Sequence, residues 1–344
     1  MYKSLKIKNF TAFDQLEMTF SQGINVFVGA NGTGKTHVLK LIYAASDITR
    51  SQKGLAEKVN KVFLPSKEQI GRLVKRSNKS SKGFVEWVRV QKQEEIKVRL
   101  SMTSHTKEAD KATLSGAYRR WMECSMESVY IPVKDMMANA PGFRALYSQR
   151  HIHFEEVYPD IIDRVFIPPL KGQPVQDRKK ILTLLQEAMD GKVITKNEEF
   201  FLKNKQGELE FTLLAEGIRK LALLWVLIQN GTLLEGSILC WDEPETNLNP
   251  RLMKTVISIL IELQRMGVQV FLSTHDYVIL KELDLQTKAE DHIKYHAFSR
   301  DESSDEIVVN STEHYLDISP NAIDETFGDL VNREIQRSIP TLER

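Results

Sequence analysis

The sequence predicts an α/β fold in which helices flank a mixed central sheet. Three observations support this prediction. Residues 24–28, 237–241 and 268–272 are apolar runs with the length of buried strands, and each leads into a polar segment. Segments with helical spacing follow two of these runs, at 36–45 and 250–266. Such alternation of strand and helix is typical of a sheet covered on its faces by helices.

Composition is ordinary for a globular protein, with 344 residues, 42% hydrophobic and 27% charged. This length suffices for one large α/β domain with an insertion or for two smaller domains. The net charge of +1 argues neither for nor against nucleic acid, because a basic patch can lie within a balanced total. No apolar run reaches membrane-spanning length, and the two cysteines, Cys124 and Cys240, suggest a reducing compartment. We therefore expect a cytoplasmic protein.

The turn after the first apolar run carries the strongest motif. Residues 29–36 read GANGTGKT, the spacing G-x-x-x-x-G-K-[ST] of a phosphate-binding loop. Its glycines allow positive φ angles and close approach of the backbone to phosphate, and the following helix presents free amides at its N-terminus. We expect Lys35 to reach the β- and γ-phosphates of ATP and Thr36 to bind Mg²⁺. The residues predicted to bind the nucleotide are Gly29, Asn31, Gly32, Thr33, Gly34, Lys35, Thr36 and His37.

Two further strands end in residues suited to phosphate chemistry. The strand at 238–241 is followed by Asp242 and Glu243. In an NTPase, such a pair holds Mg²⁺ through water with Asp242, while Glu243 orients and deprotonates the attacking water. The next strand ends in Ser-Thr-His-Asp, where His275 is placed to donate a hydrogen bond to the γ-phosphate. The sequence thus predicts ATP and Mg²⁺, with Glu243 and His275 as catalytic residues.

Local patterns predict the elements of the N-terminal half. Alternation of apolar and polar residues predicts a hairpin from 1–10 and 16–20, and two strands within 84–102. Residues 105–122 have a helical pattern, whereas 51–82 is charged and serine-containing and is expected to form a mobile loop.

The same reasoning places the remaining elements. A short buried strand within 128–135 is stopped by Pro132, and the segment at 141–191 is mostly helical. A hairpin over 192–213, turning at 204–207, leads into a helix at 214–228. Asn249 is a natural N-cap and Pro250 a natural first residue for the helix that Gly267 ends. The tail is predicted to contain strands at 293–298 and 306–310 and a helix at 321–337.

We divide the chain into four parts on this basis. Residues 1–50 hold the hairpin and phosphate loop, 51–124 are inserted strands and helices, and 125–213 are a middle strand with a helical subdomain. Residues 214–344 complete the domain with the acidic pair, His275 and the C-terminal helix.

Three charged clusters admit a second interpretation. The basic cluster at 75–82 could contact nucleic acid, but no aromatic residue lies among its charges, so a solvated loop is favoured. Two histidines and two glutamates within 151–156 could gather a metal, although the His-x-His pair has no second half in the sequence. The acidic set within 301–306 is best explained as a solvated turn.

Taken together, these motifs resemble the ABC-class ATPases, in particular the branch with RecF, SMC and OLD-family proteins. The segment LKIKNF at 5–10, leading into NVFVGANG at 25–32, carries this resemblance. Closer still, the segments at 129–143, 213–225 and 242–250 look like AAA-domain ATPases paired with effectors in prokaryotic anti-phage systems. The Septu and OLD-like ATPases are examples.

The resemblance implies a P-loop NTPase fold of ABC-ATPase type with a largely helical insertion. In this family two subunits sandwich two ATP molecules, and each nucleotide contacts the partner's signature segment. Here that segment is 214–219, so Glu216 and Gly217 are the implied contacts in trans. Its physical basis is again a helix N-terminus that faces the γ-phosphate.

Three departures from the family pattern bear on turnover. Ala215 replaces the signature serine, and Asn249 replaces the usual aspartate of the dimer-contacting loop. The chain has Lys134-Asp135 where the class places a glutamine. As a hypothesis, Arg219 and Lys220 compensate electrostatically for the missing contacts.

The implied function is an ATPase that assembles through its ATP interface, as a homodimer or higher oligomer. SMC-type heptads are missing between 51 and 213, and too few residues follow His275 for the nuclease domain of OLD proteins. The resemblance therefore implies a separate effector, such as a nuclease or toxin encoded nearby, and a role in anti-phage defence. One alternative is a RecF-like, ATP-gated DNA-binding protein in DNA repair that contacts DNA through 75–82 and 118–121. Another is a scaffold that binds ATP and barely hydrolyses it.

Overall fold

The computed structural model describes residues 1–76, 80–150 and 152–342, which form three β-sheets and the helices around them. The strands are β1 (Tyr2–Phe10), β2 (Phe13–Thr19), β3 (Ile24–Gly29), β4 (Lys82–Gln91), β5 (Glu94–Thr103), β6 (Thr113–Gly116), β7 (Ser128–Ile131), β8 (Lys192–Lys196), β9 (Glu199–Asn204), β10 (Gly207–Glu210), β11 (Ile238–Asp242), β12 (Gln269–Thr274), β13 (Ile293–Arg300) and β14 (Ile307–Thr312). The helices are α1 (Lys35–Ser51), α2 (Leu55–Phe63), α3 (Tyr118–Glu123), α4 (Phe143–Arg150), α5 (Val157–Val165), α6 (Gln176–Met189), α7 (Glu216–Gln229), α8 (Pro250–Arg265), α9 (Tyr277–Gln286) and α10 (Ala322–Leu342).

The central sheet has the strand order β14-β13-β3-β12-β11-β7. All its pairs are parallel except β13 with β14, which confirms the predicted mixed sheet. Along β3, Val26 and Val28 enter one hydrophobic core and Phe27 enters the other, so both faces of the sheet are buried. Parallel strands end at one edge, and this brings the loops after β3, β11 and β12 together.

A second, antiparallel sheet has the order β2-β1-β4-β5-β6. It contains the predicted N-terminal hairpin and the two strands predicted within 84–102. The prediction of one helix over 105–122 is wrong. Leu114 of β6 pairs with Leu100 of β5, and Gly116 has a φ of 91° close to the carbonyl of Lys97, so the segment holds a short 3-10 helix at Ala109–Lys111, a strand and then α3. No helix among the described residues is long and apolar enough to cross a lipid bilayer.

Two other predictions need correction in detail. The charged segment 51–82 contains α2, whose Leu55, Val59 and Val62 are buried on one face at helical spacing. The segment 192–213 forms three strands rather than a simple hairpin, because an additional turn at 197–198, with positive φ at both residues, separates β8 from β9. The predicted turn between β9 and β10 is present.

A buried cluster of charges joins α1, α2 and α5. The ammonium of Lys58 lies 2.7 Å from Oδ2 of Asp47, 3.2 Å from Oε2 of Glu156 and 2.5 Å from Oδ2 of Asp160. Arg164 completes the cluster by pairing with Asp47. Burial alone would lower the pKa of Lys58, but the three carboxylates outweigh it and raise that pKa.

We expect Lys58→Met to lower the free energy of unfolding by about 3–5 kcal/mol, because it leaves buried carboxylates without their cation. Lys61→Met on the same helix is the matched control, since Lys61 pairs with Glu68 at the surface and should lose at most about 1 kcal/mol. Chemical denaturation measures both values. Equal losses in the two variants would contradict a stabilising role for the cluster.

Candidate nucleotide-binding site

The phosphate loop connects β3 to α1 and depends on its glycines. Gly29, Gly32 and Gly34 have φ angles of 143°, 80° and 89°. A Cβ on Gly29 would lie 2.2 Å from the carbonyl oxygen of Phe298, and one on Gly34 would lie 2.4 Å from the ring of Phe13. At these positions the loop conformation therefore requires glycine.

Lys35 is the first residue of α1 and points back into the loop. Its ammonium donates hydrogen bonds to the carbonyls of Gly29 at 2.6 Å and Ala30 at 2.9 Å. Burial lowers the pKa of Lys35, while the carboxylates of Glu243 and Asp242 act in the opposite direction. The loop thus carries a buried cation beside the α1 N-terminus, an arrangement suited to binding phosphate.

Asp242, the last residue of β11, accepts hydrogen bonds from three neighbouring elements. Thr36 donates to its Oδ1 over 3.2 Å, Ser273 donates to the same oxygen, and Tyr130 donates to Oδ2 over 3.0 Å. The hydroxyl of Thr36 and the carboxylate of Asp242 are hard oxygen donors in contact with each other. Their chemistry fits Mg²⁺, which binds carboxylates together with substrate phosphates.

Glu243 follows in a left-handed conformation, with φ of 49°. Its amide donates to the carbonyl of Ser273, and its carboxylate accepts from the hydroxyl of Thr246 over 3.3 Å. The buried ammonium of Lys220 holds the same turn by donating to the carbonyl of Thr246 over 2.6 Å. This strained backbone, held from two sides, turns the carboxylate out of the sheet.

His275 comes after β12, adjacent to the acidic pair. Its Nδ1 lies 3.6 Å from Oε1 of Glu243 and 3.5 Å from Oε1 of Glu245. The side chain is 46% exposed, and Asp276 immediately after it caps α9 by accepting from the amide of Ile279. The structure therefore brings Glu243 and His275 together at the predicted edge of the sheet.

The other predicted loop residues contribute differently. Asn31 is exposed, and the hydroxyl of Thr33 donates to the carbonyl of Ala30 over 2.8 Å within the loop. The ring of His37 packs against Phe63, and burial lowers the pKa of His37 to about 4. The side chain of His37 therefore points away from the loop.

Glu216 and Gly217, at the start of α7, contact the loop after the acidic pair of the same chain. Glu216 accepts from the side-chain amide of Asn247 over 2.8 Å, and a Cβ on Gly217 would lie 2.8 Å from the carbonyl of that residue. Arg219 donates to Asp135 over 2.7 Å, and Lys220 is buried on Thr246. Both cations offered as electrostatic compensation are thus engaged within the chain.

The charged clusters left open by the sequence are largely paired. Lys75 pairs with Asp14, and in the segment 118–121 Arg119 pairs with Glu123 and Arg120 with Glu94. Lys79 and His151 lie outside the described residues.

The two glutamates of the candidate metal set have lysine partners. Glu155 pairs with Lys40 over 2.6 Å and Glu156 with Lys58 over 3.2 Å. Within the described ranges, no three His, Cys, Asp or Glu side chains are grouped to hold a metal.

Sequence reasoning missed three residues of the site. Tyr130 and Ser273 hydrogen-bond to Asp242, and Glu245 contacts the backbone and ring of His275. Ser273 lies in the Ser-Thr-His-Asp motif at the end of β12, and Glu245 lies in the segment 242–250, just after β11. Their position at the shared edge of the sheet could have indicated a role in the site. Nothing in the sequence indicated Tyr130, because it resembles any other residue of a buried strand.

Comparison with solved structures shows the class to which this fold belongs. The SMC head domain from Thermotoga maritima covers 91% of this chain and 99% of its own length, with a TM-score of 0.51 at 16% identity. An SMC head bound to the C-terminal winged-helix domain of ScpA covers 92% and 99%, with a TM-score of 0.59 at 15% identity. The chain shares this fold, and at the edge of its central sheet it carries the phosphate loop and acidic pair that an ATP-hydrolysing enzyme requires.

The family follows from the sequence comparison. The family model described as "AAA domain, putative AbiEii toxin, Type IV TA system" matches residues 24–281, and the chain belongs to this family. RecF proteins from Streptococcus pyogenes, serotypes M5 (strain Manfredo) and M49 (strain NZ131), are 45% identical over 56 residues. That match spans 16% of this chain and 15% of the RecF chains, whose names describe DNA replication and repair proteins.

Proposed function

We propose that the ATPase binds Mg-ATP on its phosphate loop and hydrolyses it at an interface between two copies. The observation that carries this is the convergence on Asp242, whose carboxylate contacts Thr36 and Ser273 at the ends of three adjacent parallel strands. In this assignment Lys35 binds the β- and γ-phosphates, and Thr36 and Asp242 hold Mg²⁺, which offsets phosphate charge. Glu243 deprotonates the attacking water, and His275 contacts the γ-phosphate.

The start of α7 supports completion of the site by a second copy. Glu216 and Gly217 lie against Asn247, in the loop that follows the acidic pair of their own chain. The segment before them is exposed, and Leu213 keeps 69% of its surface accessible. An exposed leucine beside a helix N-terminus suits a surface that closes on a partner's nucleotide.

The first test is light scattering on Glu243→Gln with and without Mg-ATP. Loss of the base should leave ATP bound and uncleaved, so we expect the mass to rise from that of one chain to that of two. A matched sample of Lys35→Ala should show no nucleotide-dependent rise in mass, because it lacks the ammonium group that binds the phosphates. A one-chain mass for Glu243→Gln with ATP bound would refute the shared interface.

We further propose that closure and reopening of this interface regulate a separate effector, encoded nearby, in anti-phage defence as in Septu and OLD-like systems. The family description, which names a putative toxin of a type IV system, supports a toxin as the effector class. In this arrangement residues 1–50, strand β7 and residues 214–344 form the ATPase core, while the inserted segment 51–124 and the helical part of 125–213 are available for docking. Copurification with the product of the neighbouring gene tests the pairing.

A RecF-like DNA-binding function is the second candidate, favoured by the local identity to RecF. Lys75, Arg119 and Arg120, in the segments predicted to contact DNA, form ion pairs within the chain, which argues against these segments as the DNA-binding surface. Titration of duplex DNA with the protein at low salt tests this function. Contacts to DNA phosphates would give binding that falls steeply as salt is added. A flat titration up to micromolar protein would eliminate this function.

A further inference from the structure

Glu245 is a buried carboxylate at the site that the proposed mechanism does not use. It lies three residues after Asp242, where the chain leaves β11, and is 9% exposed. Its side chain reaches across to the end of β12, the neighbouring strand. A buried carboxylate is costly unless nearby groups stabilise it, so its contacts indicate its role.

Two donors and one ring nitrogen from β12 and the loop after it surround one oxygen of Glu245. Oε1 accepts from the hydroxyl of Thr274 over 2.9 Å and from the backbone amide of His275 over 3.0 Å. Nδ1 of the His275 ring lies 3.5 Å from the same oxygen. Oε2 is buried and has no hydrogen-bond partner within the part of the chain that the structure describes. Glu245 thus fixes the backbone of His275 and lies beside its ring.

The two carboxylates nearest the ring lie on the same side of it. Oε1 of Glu243 is 3.6 Å from Nδ1, close to the distance for Glu245. An acceptor beside one ring nitrogen favours a proton on that nitrogen and leaves the other free for a different partner. Of the two, only Glu245 also hydrogen-bonds the backbone of the histidine, so it is the group that can set both place and tautomer.

We propose that Glu245 is the positioning residue for His275, holding the ring with a proton on Nδ1 and leaving Nε2 for the γ-phosphate. This inference rests on the proposed contact between His275 and the nucleotide. Burial raises the pKa of Glu245, and the hydrogen bond from the His275 amide opposes this effect. Glu245 acts through His275 and does not touch ATP.

A double-mutant cycle tests this directly. ATPase kinetics are measured for the wild type, Glu245→Gln, His275→Ala and the double variant, with Glu302→Gln on an exposed loop as the matched control. We expect Glu245→Gln to lower kcat roughly tenfold, as outer-shell partners of functional histidines do, with KM within about twofold. In the His275→Ala background the same change should have no further effect. Losses that multiply in the double variant would overturn the proposal.

NMR of the ring nitrogens in protein labelled with ¹⁵N-histidine gives an independent measurement. It is made on the wild type, and a variant is needed only to assign the signals. The His275 signals, identified by their loss in His275→Ala, should show a protonated Nδ1 in the wild type. A neutral ring protonated at Nε2 in the wild type would refute the proposal. If His275→Ala keeps full activity, the nucleotide contact of His275 fails; if His275→Ala is impaired while Glu245→Gln is not, only the role of Glu245 fails.

Discussion

Lys35→Ala is expected to weaken binding of Mg-ATP by at least about thirtyfold, which corresponds to about 2 kcal/mol or more. Lys35 is the buried cation of the phosphate loop, and its ammonium lies 2.6 Å and 2.9 Å from the carbonyls of Gly29 and Ala30. A bound phosphate would lose a charge-assisted hydrogen bond that water does not replace. Isothermal titration with ATP and Mg²⁺ measures the loss.

Lys111→Ala, a substitution of an exposed lysine, is the matched control and should bind ATP as the wild type does. The variant Lys35→Ala should retain its thermal transition, because the residue anchors the loop rather than the core. Unchanged affinity in Lys35→Ala would mean that the nucleotide does not use this loop, and the assignments of Thr36 and Asp242 would fail with it.

Glu243→Gln is expected to lower kcat by about 10²–10³ while ATP affinity stays within about twofold. The amide keeps the size of the carboxylate and its contact with Thr246, but it cannot take a proton from water. Steady-state phosphate release gives kcat, and equilibrium titration gives affinity. The separation of the two effects is the signature of a group that acts in the transition state.

Glu302→Gln, which removes an exposed carboxylate, should leave both quantities unchanged. The scaffold hypothesis predicts a different pattern, in which the wild type is already slow and Glu243→Gln is no slower. That result would remove Glu243 as a base and leave ATP binding as the main activity.

The parts of the site that could be predicted from sequence are those fixed by short-range chemistry. The loop at 29–36 needs glycine at positive φ and a lysine at a helix N-terminus, and both constraints act within eight residues. Asp242 and His275 were predictable because parallel strands end at one edge of a sheet. Asn249, which caps α8 by accepting from the amide of Arg251, was predictable for the same local reason.

What the sequence did not indicate depends on contacts distant in the chain. The link from Tyr130 to Asp242 joins residues 112 positions apart, and that from Lys58 to Asp160 joins residues 102 apart. Within 105–122, residues with a helical pattern form β6 and pair with β5 instead, because tertiary contacts override local propensity. In contrast, the spacing of apolar residues in α2 does predict a helix, but the many charged residues around it favoured the prediction of a loop.

The order of strands in the central sheet has a consequence for biosynthesis. β3, which supplies the phosphate loop, pairs with β12 and β13, both formed by residues after 268. A ribosome therefore releases more than two hundred residues before β3 acquires either neighbour, although the β1–β2 hairpin and the β4–β5 pair can form early from adjacent residues. Such long-range closure slows folding and leaves an apolar strand unpaired on the nascent chain. We expect the ATPase core to mature last, and an incompletely synthesised chain to depend on chaperones for its solubility.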